Sequence, residues 1–113
     1  MQFTERLRKN RDFIRARKLG RPRANELLVL HVLANGPDVN RVGFTVGKKV
    51  GKSVVRSRVT RLLRENYRLM EHGLSRGYDL VFIARTAASG AGYYEIGASM
   101  RNLLKRAGLF TGA

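Results

Sequence analysis

Cysteine is absent from the 113-residue chain, so a disulfide bond and a thiolate metal site are both excluded. The opening stretch MQFTERLRKNRDF has no apolar segment of the kind that forms a signal peptide. The longest apolar run, residues 27–34, is too short to span a bilayer and contains His31. We therefore expect a cytoplasmic protein that does not insert into a membrane.

Acidic residues are also scarce, which limits the catalytic chemistry that the chain itself can carry. Its eight Asp and Glu residues are scattered, without D-x-D or E-x-x-H spacing. Its two histidines, His31 and His72, fall within a predicted strand and at a predicted helix end. A protein nuclease needs clustered carboxylates for metal ions or a general acid and base pair. We therefore expect no catalytic residue, no metal site and no tightly bound cofactor in the protein.

Basic residues, by contrast, dominate the charge of the chain. Lys and Arg number 23 against 8 Asp and Glu, for a net charge of +15. Nine of the basic residues lie in residues 1–23 and another nine in residues 41–68. A folded state with this charge repels itself unless anions bind to it. The composition therefore predicts a polyanionic partner, and phosphate-rich RNA or DNA is the one that we expect.

Apolar periodicity and turn residues predict six elements in one domain that spans residues 1–113. The predicted elements are, in order, helix 10–20, strand 26–34, strand 41–50, helix 53–70, strand 78–85 and helix 93–107. Ser53 is the predicted cap of the second helix. The turn residues at 35–38 predict that the first two strands form a hairpin. The order αββαβα indicates an α+β fold with a central sheet.

The second predicted helix has two distinct faces at the helical period of about 100° per residue. The apolar arc, which we expect to face the core, contains Val55, Val59, Leu62, Leu63, Leu69 and Met70. The opposite arc contains Arg58, Arg61, Arg64 and Arg68. A solvated helix face is the ordinary explanation of such a charge run, but Glu65 is the only acid in this helix. Phosphate contacts explain the arginines better, and Lys48, Lys49 and Lys52 just upstream extend the basic surface.

The stretch Gly47-Lys48-Lys49-Val50-Gly51-Lys52-Ser53 has a superficial likeness to the phosphate loop of nucleotide hydrolases. That loop needs four residues between its glycines, and only three separate Gly47 from Gly51. No predicted strand ends in an aspartate that could help to hold a magnesium ion. Nucleotide hydrolysis is therefore rejected.

The stretch from Arg41 to Glu65, RVGFTVGKKVGKSVVRSRVTRLLRE, resembles the RNR motif of the bacterial ribonuclease P protein family. The opening of the chain, with Arg6-Leu7, Asn10, Asp12-Phe13 and Gly20, resembles the opening of that family. The resemblance implies an α+β domain similar to the second domain of ribosomal protein S5, with a left-handed crossover between the second and third predicted strands.

The resemblance also implies a function and a set of RNA contacts. In this family a catalytic RNA that uses Mg2+ removes the 5′ leader from precursor tRNA, and the protein binds both the catalytic RNA and the leader. No small-molecule substrate is implied. The implied contacts to the catalytic RNA are Lys48, Lys49, Lys52, Arg56, Ser57, Arg58, Arg61 and Arg64. Ser57 and Thr60 depart from the asparagine and lysine that are common in the family.

The resemblance further implies that Phe13, Arg17 and His31 contact the leader in a cleft between the first helix and the sheet. Phe13 is equally well explained as the core anchor of its helix, whereas His31 is better explained as an ordinary strand residue. A ribosomal or other structural RNA-binding protein is the main alternative for the whole chain, because it would share the basic charge and the arginine helix.

Overall fold

The structure, a computed structural model, describes residues 4–111 and gathers five strands into one sheet. The strands are β1 (Thr4–Arg6), β2 (Arg21–Ala24), β3 (Leu28–Ala34), β4 (Asn40–Thr45) and β5 (Tyr78–Ala84). The helices are α1 (Asn10–Leu19), α2 (Ser53–Met70) and α3 (Tyr93–Arg106). Short 3-10 turns lie at Lys48–Val50, Glu71–Gly73 and Thr86–Gly90. The predicted α+β class is confirmed.

The strand order across the sheet is β1-β4-β5-β3-β2. β4 pairs in parallel with β1 and β5, whereas β3 is antiparallel to both β5 and β2. The predicted hairpin is therefore wrong, because β5 lies between β3 and β4. Leu80, Val81 and Phe82 of β5 are each 0% exposed, and a strand buried on both faces belongs at the centre of a sheet. β4 and β5 are connected through α2, and the left-handed sense of this connection stays a prediction, as does the likeness to ribosomal protein S5.

The two outer strands are elements that the apolar pattern did not indicate. β1 reads Thr-Glu-Arg and β2 reads Arg-Pro-Arg-Ala, so neither shows an apolar alternation. Charged side chains and proline are typical of edge strands, which have neighbours on one side only. The predicted order αββαβα therefore gains one strand before α1 and one after it.

Local signals at the start of α2 differ from the prediction, although the helix covers the predicted residues. Lys52, not Ser53, occupies the N-cap position, and no side chain caps the helix. β4 ends at Thr45 rather than at residue 50. The chain leaves the sheet there because the N–H of Val50 bonds the carbonyl of Gly47 at 3.1 Å, which closes a 3-10 turn.

The main core lies between one face of the sheet and helices α2 and α3. The buried apolar residues of α2 are Val59, Leu62, Leu63, Tyr67 and Met70. Val55 is half-buried, but the expectation that Leu69 faces the core is wrong, since it is 65% exposed. The buried face of α2 is turned towards α3, where the Asn66 amide donates to the carbonyl of Tyr93 at 3.0 Å.

A smaller apolar cluster holds α1 on the opposite face of the sheet. Leu7, Ala16 and Val81 are buried there, and the Phe13 ring packs against them. The ring lies directly on the backbone of β4, because a Cβ added at Gly43 would overlap it. The absence of a side chain at position 43 thus allows α1 to approach the sheet closely.

Arg41 ties α1 to the sheet by charge. Its guanidinium donates two hydrogen bonds to the Asp79 carboxylate, at 2.8 and 2.6 Å, and reaches Asp12 of α1 at 3.4 Å. Asp79 is only 1% exposed, and it also accepts a hydrogen bond from the Asn35 amide at 2.9 Å. The hydrogen bond to Asp79 raises the pKa of Arg41, so this buried carboxylate is compensated by a permanent cation.

We expect Asp79→Ala to lower the free energy of unfolding by about 3 kcal/mol, because Arg41 would lose its best-buried partner. The control is Asp12→Asn, which removes the longer ion pair and should cost less than about 1 kcal/mol. Urea unfolding followed by circular dichroism measures both values. Equal losses in the two variants would show that Asp79 is not the principal partner of Arg41.

Candidate nucleic-acid interface

The exposed side of α2 forms a basic concavity with the chain that leaves β4. The residues that line it are Val46, Ser53, Arg56, Ser57, Thr60, Arg61 and Arg64. The Arg61 side chain is 63% exposed and makes only a loose ion pair with Glu65, at 3.9 Å. Arg64 is exposed one turn further along the helix. These two guanidiniums keep most of their N–H donors available to an anion. The lining residues of this concavity are called the arginine face below.

Arg58 is held differently from Arg61 and Arg64. Its guanidinium donates to the carbonyl of Ala91 at 2.6 Å and to that of Ser89 at 3.2 Å. These acceptors belong to the segment between β5 and α3, so Arg58 fastens α2 to the start of α3. Its remaining N–H groups border a second concavity, which is lined by Ser53, Val54, Ser57, Arg58 and Arg61.

Of the other polar residues of the motif, Arg56 and Thr60 hydrogen-bond to backbone carbonyls, whereas Ser57 is exposed. The Arg56 Nε donates to the carbonyl of Gly51 at 3.1 Å, and the Thr60 hydroxyl donates to the carbonyl of Arg56 at 2.8 Å. Such a bond to the preceding helical turn occupies the hydroxyl of Thr60. Ser57 is exposed and borders both concavities. Serine in place of asparagine therefore puts a hydroxyl, which is shorter than an amide side chain, at an exposed position between the two concavities.

Lys48, Lys49 and Lys52 are all exposed and lie just before the first turn of α2. The 3-10 turn Lys48–Val50 carries the first two of them. The N–H of Val50 is engaged by the carbonyl of Gly47 within this turn. The three ammonium groups add positive charge beside the arginine face.

A cleft lies along α1, on the side where β4 ends. Its lining residues are Asn10, Phe13, Ile14, Arg17, Phe44, Thr45 and Val46. An adjacent concavity is lined by Ile14, Arg17, Lys18 and His31. The structure thus places Phe13, Arg17 and His31 along one continuous flank of α1, with Arg17 shared by both parts. Phe13 is half-buried and serves both as an anchor on Gly43 and as a wall of the cleft.

His31 carries its charge less readily than an exposed histidine. Partial burial lowers the pKa of His31 below its ordinary value of 6.5, and the nearby charge of Arg17 lowers it further. The nearby backbone of Gly20 opposes these effects in part. The Nδ1 atom is buried without a hydrogen-bond partner. A neutral imidazole of this kind can stack on a base or form a hydrogen bond with one.

Sequence reasoning missed several residues of the cleft, chiefly Ile14, Thr45 and Val46. Ile14 is 47% exposed on a helix whose other exposed side chains are mostly charged or polar. An apolar residue next to Phe13 on a mostly charged helix was the signal available. Thr45 and Val46 gave no signal, because their place in the cleft depends on where β4 leaves the sheet.

Within residues 4–111, no three side chains of His, Asp or Glu gather where they could hold a metal ion. No helix in the described part of the chain is long and apolar enough to cross a membrane. The carboxylates of Asp12 and Asp79 are instead engaged by Arg41.

The basic charge, the arginine face and the adjoining cleft define a nucleic-acid-binding protein. The family model described as Ribonuclease P matches residues 1–108. The ribonuclease P protein component of Alkaliphilus oremlandii is 50% identical over 113 residues, which cover 100% of this chain and 99% of that protein. The solved Staphylococcus aureus RNase P protein has a TM-score of 0.88 and 33% identity, covering 96% of this chain and 99% of its own. The RNase P protein from Thermotoga maritima has a TM-score of 0.82 and 35% identity, with coverages of 90% and 96%.

The chain therefore belongs to the ribonuclease P protein family, as its RNR-like stretch indicated. It is the protein subunit of a ribonucleoprotein that processes tRNA, so RNA is its partner. Family membership decides against the ribosomal alternative.

Arg58 holds α2 to the start of α3, whereas Arg61 is exposed, so substitutions at the two positions should change the free energy of unfolding by different amounts. Arg58→Gln should lower the free energy of unfolding by about 1 kcal/mol, because it weakens charge-assisted bonds to two backbone carbonyls. Arg61→Gln should change it by less than about 0.5 kcal/mol, because the side chain is exposed. Urea unfolding of the two variants measures the difference. Equal stabilities would contradict the fastening role of Arg58.

Proposed function

We propose that this chain is the accessory RNA-binding subunit of its ribonucleoprotein. The arginine face contacts the catalytic RNA, and the cleft along α1 contacts the 5′ leader of precursor tRNA. The RNA, with its Mg2+ ions, carries the hydrolysis in the cytoplasm, and the protein aids it at low magnesium. One observation supports this division above the others: Val46 lines both the arginine face and the cleft, so the two surfaces adjoin at the end of β4.

The arginine face suits the phosphate backbone of a folded RNA. A guanidinium offers a planar fork of donors that matches two phosphate oxygens, and each neutralised phosphate releases counterions. Arg61 and Arg64 are exposed, and neither is engaged by a buried acid. Lys48, Lys49 and Lys52 add charge without a fixed geometry. The whole group therefore favours affinity for RNA rather than selection of a base sequence.

The cleft along α1 suits an unpaired strand rather than a duplex. Phe13 and Ile14 offer apolar surface for a base, His31 offers a neutral ring, and Arg17 supplies a cation between them. Proteins bind single-stranded RNA in this way, with bases stacked on rings and phosphates held by basic residues. The 5′ leader of precursor tRNA is a single strand, and mature tRNA lacks it.

The carboxylates of the described residues support placing the chemistry in the RNA. Asp12 and Asp79 are bound to Arg41, and Glu65 lies beside Arg61. Carboxylates that compensate arginines are poor ligands for a pair of hydrolytic metal ions, because the guanidinium competes for the same oxygens. The phosphates of the catalytic RNA are the alternative ligands, and the protein reduces their mutual repulsion. This accounts for help at low Mg2+ without a metal site in the protein.

The first test is cleavage of a precursor tRNA by a bacterial ribonuclease P RNA at low Mg2+, with and without the protein. Cleavage should require the RNA and be stimulated by the protein, with none from the protein alone. Arg61→Gln should reduce the stimulation and lower the log–log salt slope of RNA binding by about 0.9 or less, the value for one neutralised phosphate. Cleavage by the protein alone would place the active site in the protein and sink the proposal.

The cleft is tested by two matched variants on one helix. Arg17→Gln should weaken binding of leader-bearing precursor tRNA to the holoenzyme severalfold more than binding of mature tRNA, because only the precursor occupies the cleft. Arg15→Gln removes the same charge from an exposed position outside the cleft and should affect both RNAs alike. Fluorescence titrations with the two RNAs give the ratios. The ratio compares the loss of affinity for precursor tRNA with the loss for mature tRNA. If this ratio is the same for Arg17→Gln and Arg15→Gln, the leader does not bind in the cleft.

A further inference from the structure

Two arginines meet at a corner of the fold that lies on the side of α3 away from the arginine face. Arg85, just after β5, donates to the carbonyl of Asn25 at 2.7 Å. Arg106, at the end of α3, donates to the carbonyl of Ala24 at 2.9 Å. The two acceptors belong to consecutive residues, whose Cα atoms are about 3.8 Å apart. Two guanidiniums from distant parts of the chain are therefore brought to one short turn.

Two further arginines of the edge strand β2 lie on the same side of the sheet. Arg21 and Arg23 are paired in register with Val32 and Leu30 of β3. These partners contact the main core, which α3 covers, and the side chains of paired residues share one face of a sheet. Arg21 and Arg23 therefore project on the face of α3 rather than on that of α1.

No carboxylate neutralises this corner within residues 4–111. Within those residues neither Arg85 nor Arg106 forms an ion pair, and the ion pairs of Arg41 and Arg61 involve Asp12, Asp79 and Glu65. Glu26 is exposed beside Asn25 but pairs with neither of them. Like charges held close together destabilise a fold unless a counter-charge is bound. The corner therefore has an uncompensated positive potential that favours an anion.

The turn that gathers these arginines is fixed by the Asn25 side chain. Its carbonyl oxygen accepts hydrogen bonds from the backbone N–H of Leu28 at 3.1 Å and from the Ser99 hydroxyl at 2.7 Å. Its amide donates to the Ser99 carbonyl at 3.0 Å and to the Asn102 side chain at 3.2 Å. The acceptors for Arg85 and Arg106 are thus held in place before any ligand arrives. Each guanidinium has five N–H donors and spends only part of them on this turn.

We propose that the corner formed by Arg85 and Arg106, with Arg21 and Arg23 on the same face of the sheet, is a second phosphate-binding site for an RNA backbone. It rests on the proposed RNA-binding function and extends it from one side of α3 to the other. Preorganised guanidinium forks suit phosphodiester oxygens, because two parallel N–H donors match two phosphate oxygens. The protein then engages RNA at two separated places rather than along α2 alone.

The test measures affinity for ribonuclease P RNA against salt concentration in variants matched for charge. The double variant Arg85→Gln and Arg106→Gln should reduce the log–log salt slope by about 0.9 for each phosphate that the protein no longer neutralises. The control is Arg11→Gln with Arg15→Gln, which removes two exposed charges of α1 that border none of the described concavities. Its slope should stay close to that of the unaltered protein.

A second variant tests the site without removing either arginine. Asn102→Asp keeps an oxygen that can accept from Asn25 and adds a carboxylate beside Arg106, whose Nη1 lies 3.5 Å from the Asn102 side chain. It should lower RNA affinity more than Arg15→Gln, although each changes the net charge by one. Circular dichroism and thermal unfolding confirm that the variants are folded. If a corner variant lowers thermal stability but leaves the log–log salt slope of RNA binding unchanged, these residues serve the fold and not RNA binding, which overturns the proposal.

A titration with inorganic phosphate distinguishes RNA from a free anion. NMR signals of the Arg85 and Arg106 Nε–H groups should shift with RNA at concentrations where the double variant loses affinity. Shifts with inorganic phosphate alone, with salt slopes equal to the control, would show a site for free anions and overturn the assignment to RNA. Arg61→Gln is measured in parallel: if it lowers affinity while the corner variants match their controls, the second site fails and the proposed function stands. Absence of RNA binding by the unaltered protein would overturn both.

Discussion

The ion pair between Arg41 and Asp79 is the interaction on which the cleft depends. Asp79 is buried in β5 and accepts two hydrogen bonds from Arg41, which also reaches Asp12 in α1. A buried carboxylate is tolerated only when it is paired, so this part of the sheet and the start of α1 are fixed together. The Phe13 ring then comes to rest on Gly43, and the flank of α1 becomes one wall of the cleft. Both carboxylate oxygens of Asp79 are engaged by Arg41 in this arrangement.

Excess positive charge shapes the rest of the molecule. Four arginines of the described residues bond to backbone carbonyls rather than to acids. Arg56 bonds to Gly51, Arg58 to the segment before α3, and Arg85 and Arg106 to the turn after β2. A carbonyl acceptor positions a guanidinium without cancelling its charge, so the protein keeps its electrostatic attraction for RNA while it orders long side chains. Arginine suits this use, because its five donors allow one group to serve the fold and a ligand together.

The helices were the part of the fold that the sequence predicted best. α2 and α3 have long apolar stripes at helical spacing, and both lie within a residue of their predicted bounds. The order of the strands could not be read locally, because the central place of β5 follows from burial on both faces. The bond from Arg58 to Ala91 spans 33 residues and gave no local signal. The basic face of α2 followed from helical periodicity, whereas the roles of Phe13, Arg17 and His31 rested on the resemblance of the chain to a family. Thr45 and Val46 gave no signal, because their place in the cleft depends on where β4 leaves the sheet.

Val46, which lines both the arginine face and the cleft, directly follows β4. The end of β4 therefore sets the distance between the arginine face and the Phe13 ring. A strand rises by roughly 3.3 Å per residue, so the seat of the Phe13 ring at Gly43 and the shared wall at Val46 are about 10 Å apart. Gly43 is paired with Val81 in the sheet, and Val46 directly follows Thr45, the last residue of β4 that pairs with β5. In the proposed arrangement, an RNA strand that passes from the arginine face into the cleft would cover this distance before it meets the Phe13 ring. That distance is set by the backbone of the protein, so it would be the same whatever bases the strand contains.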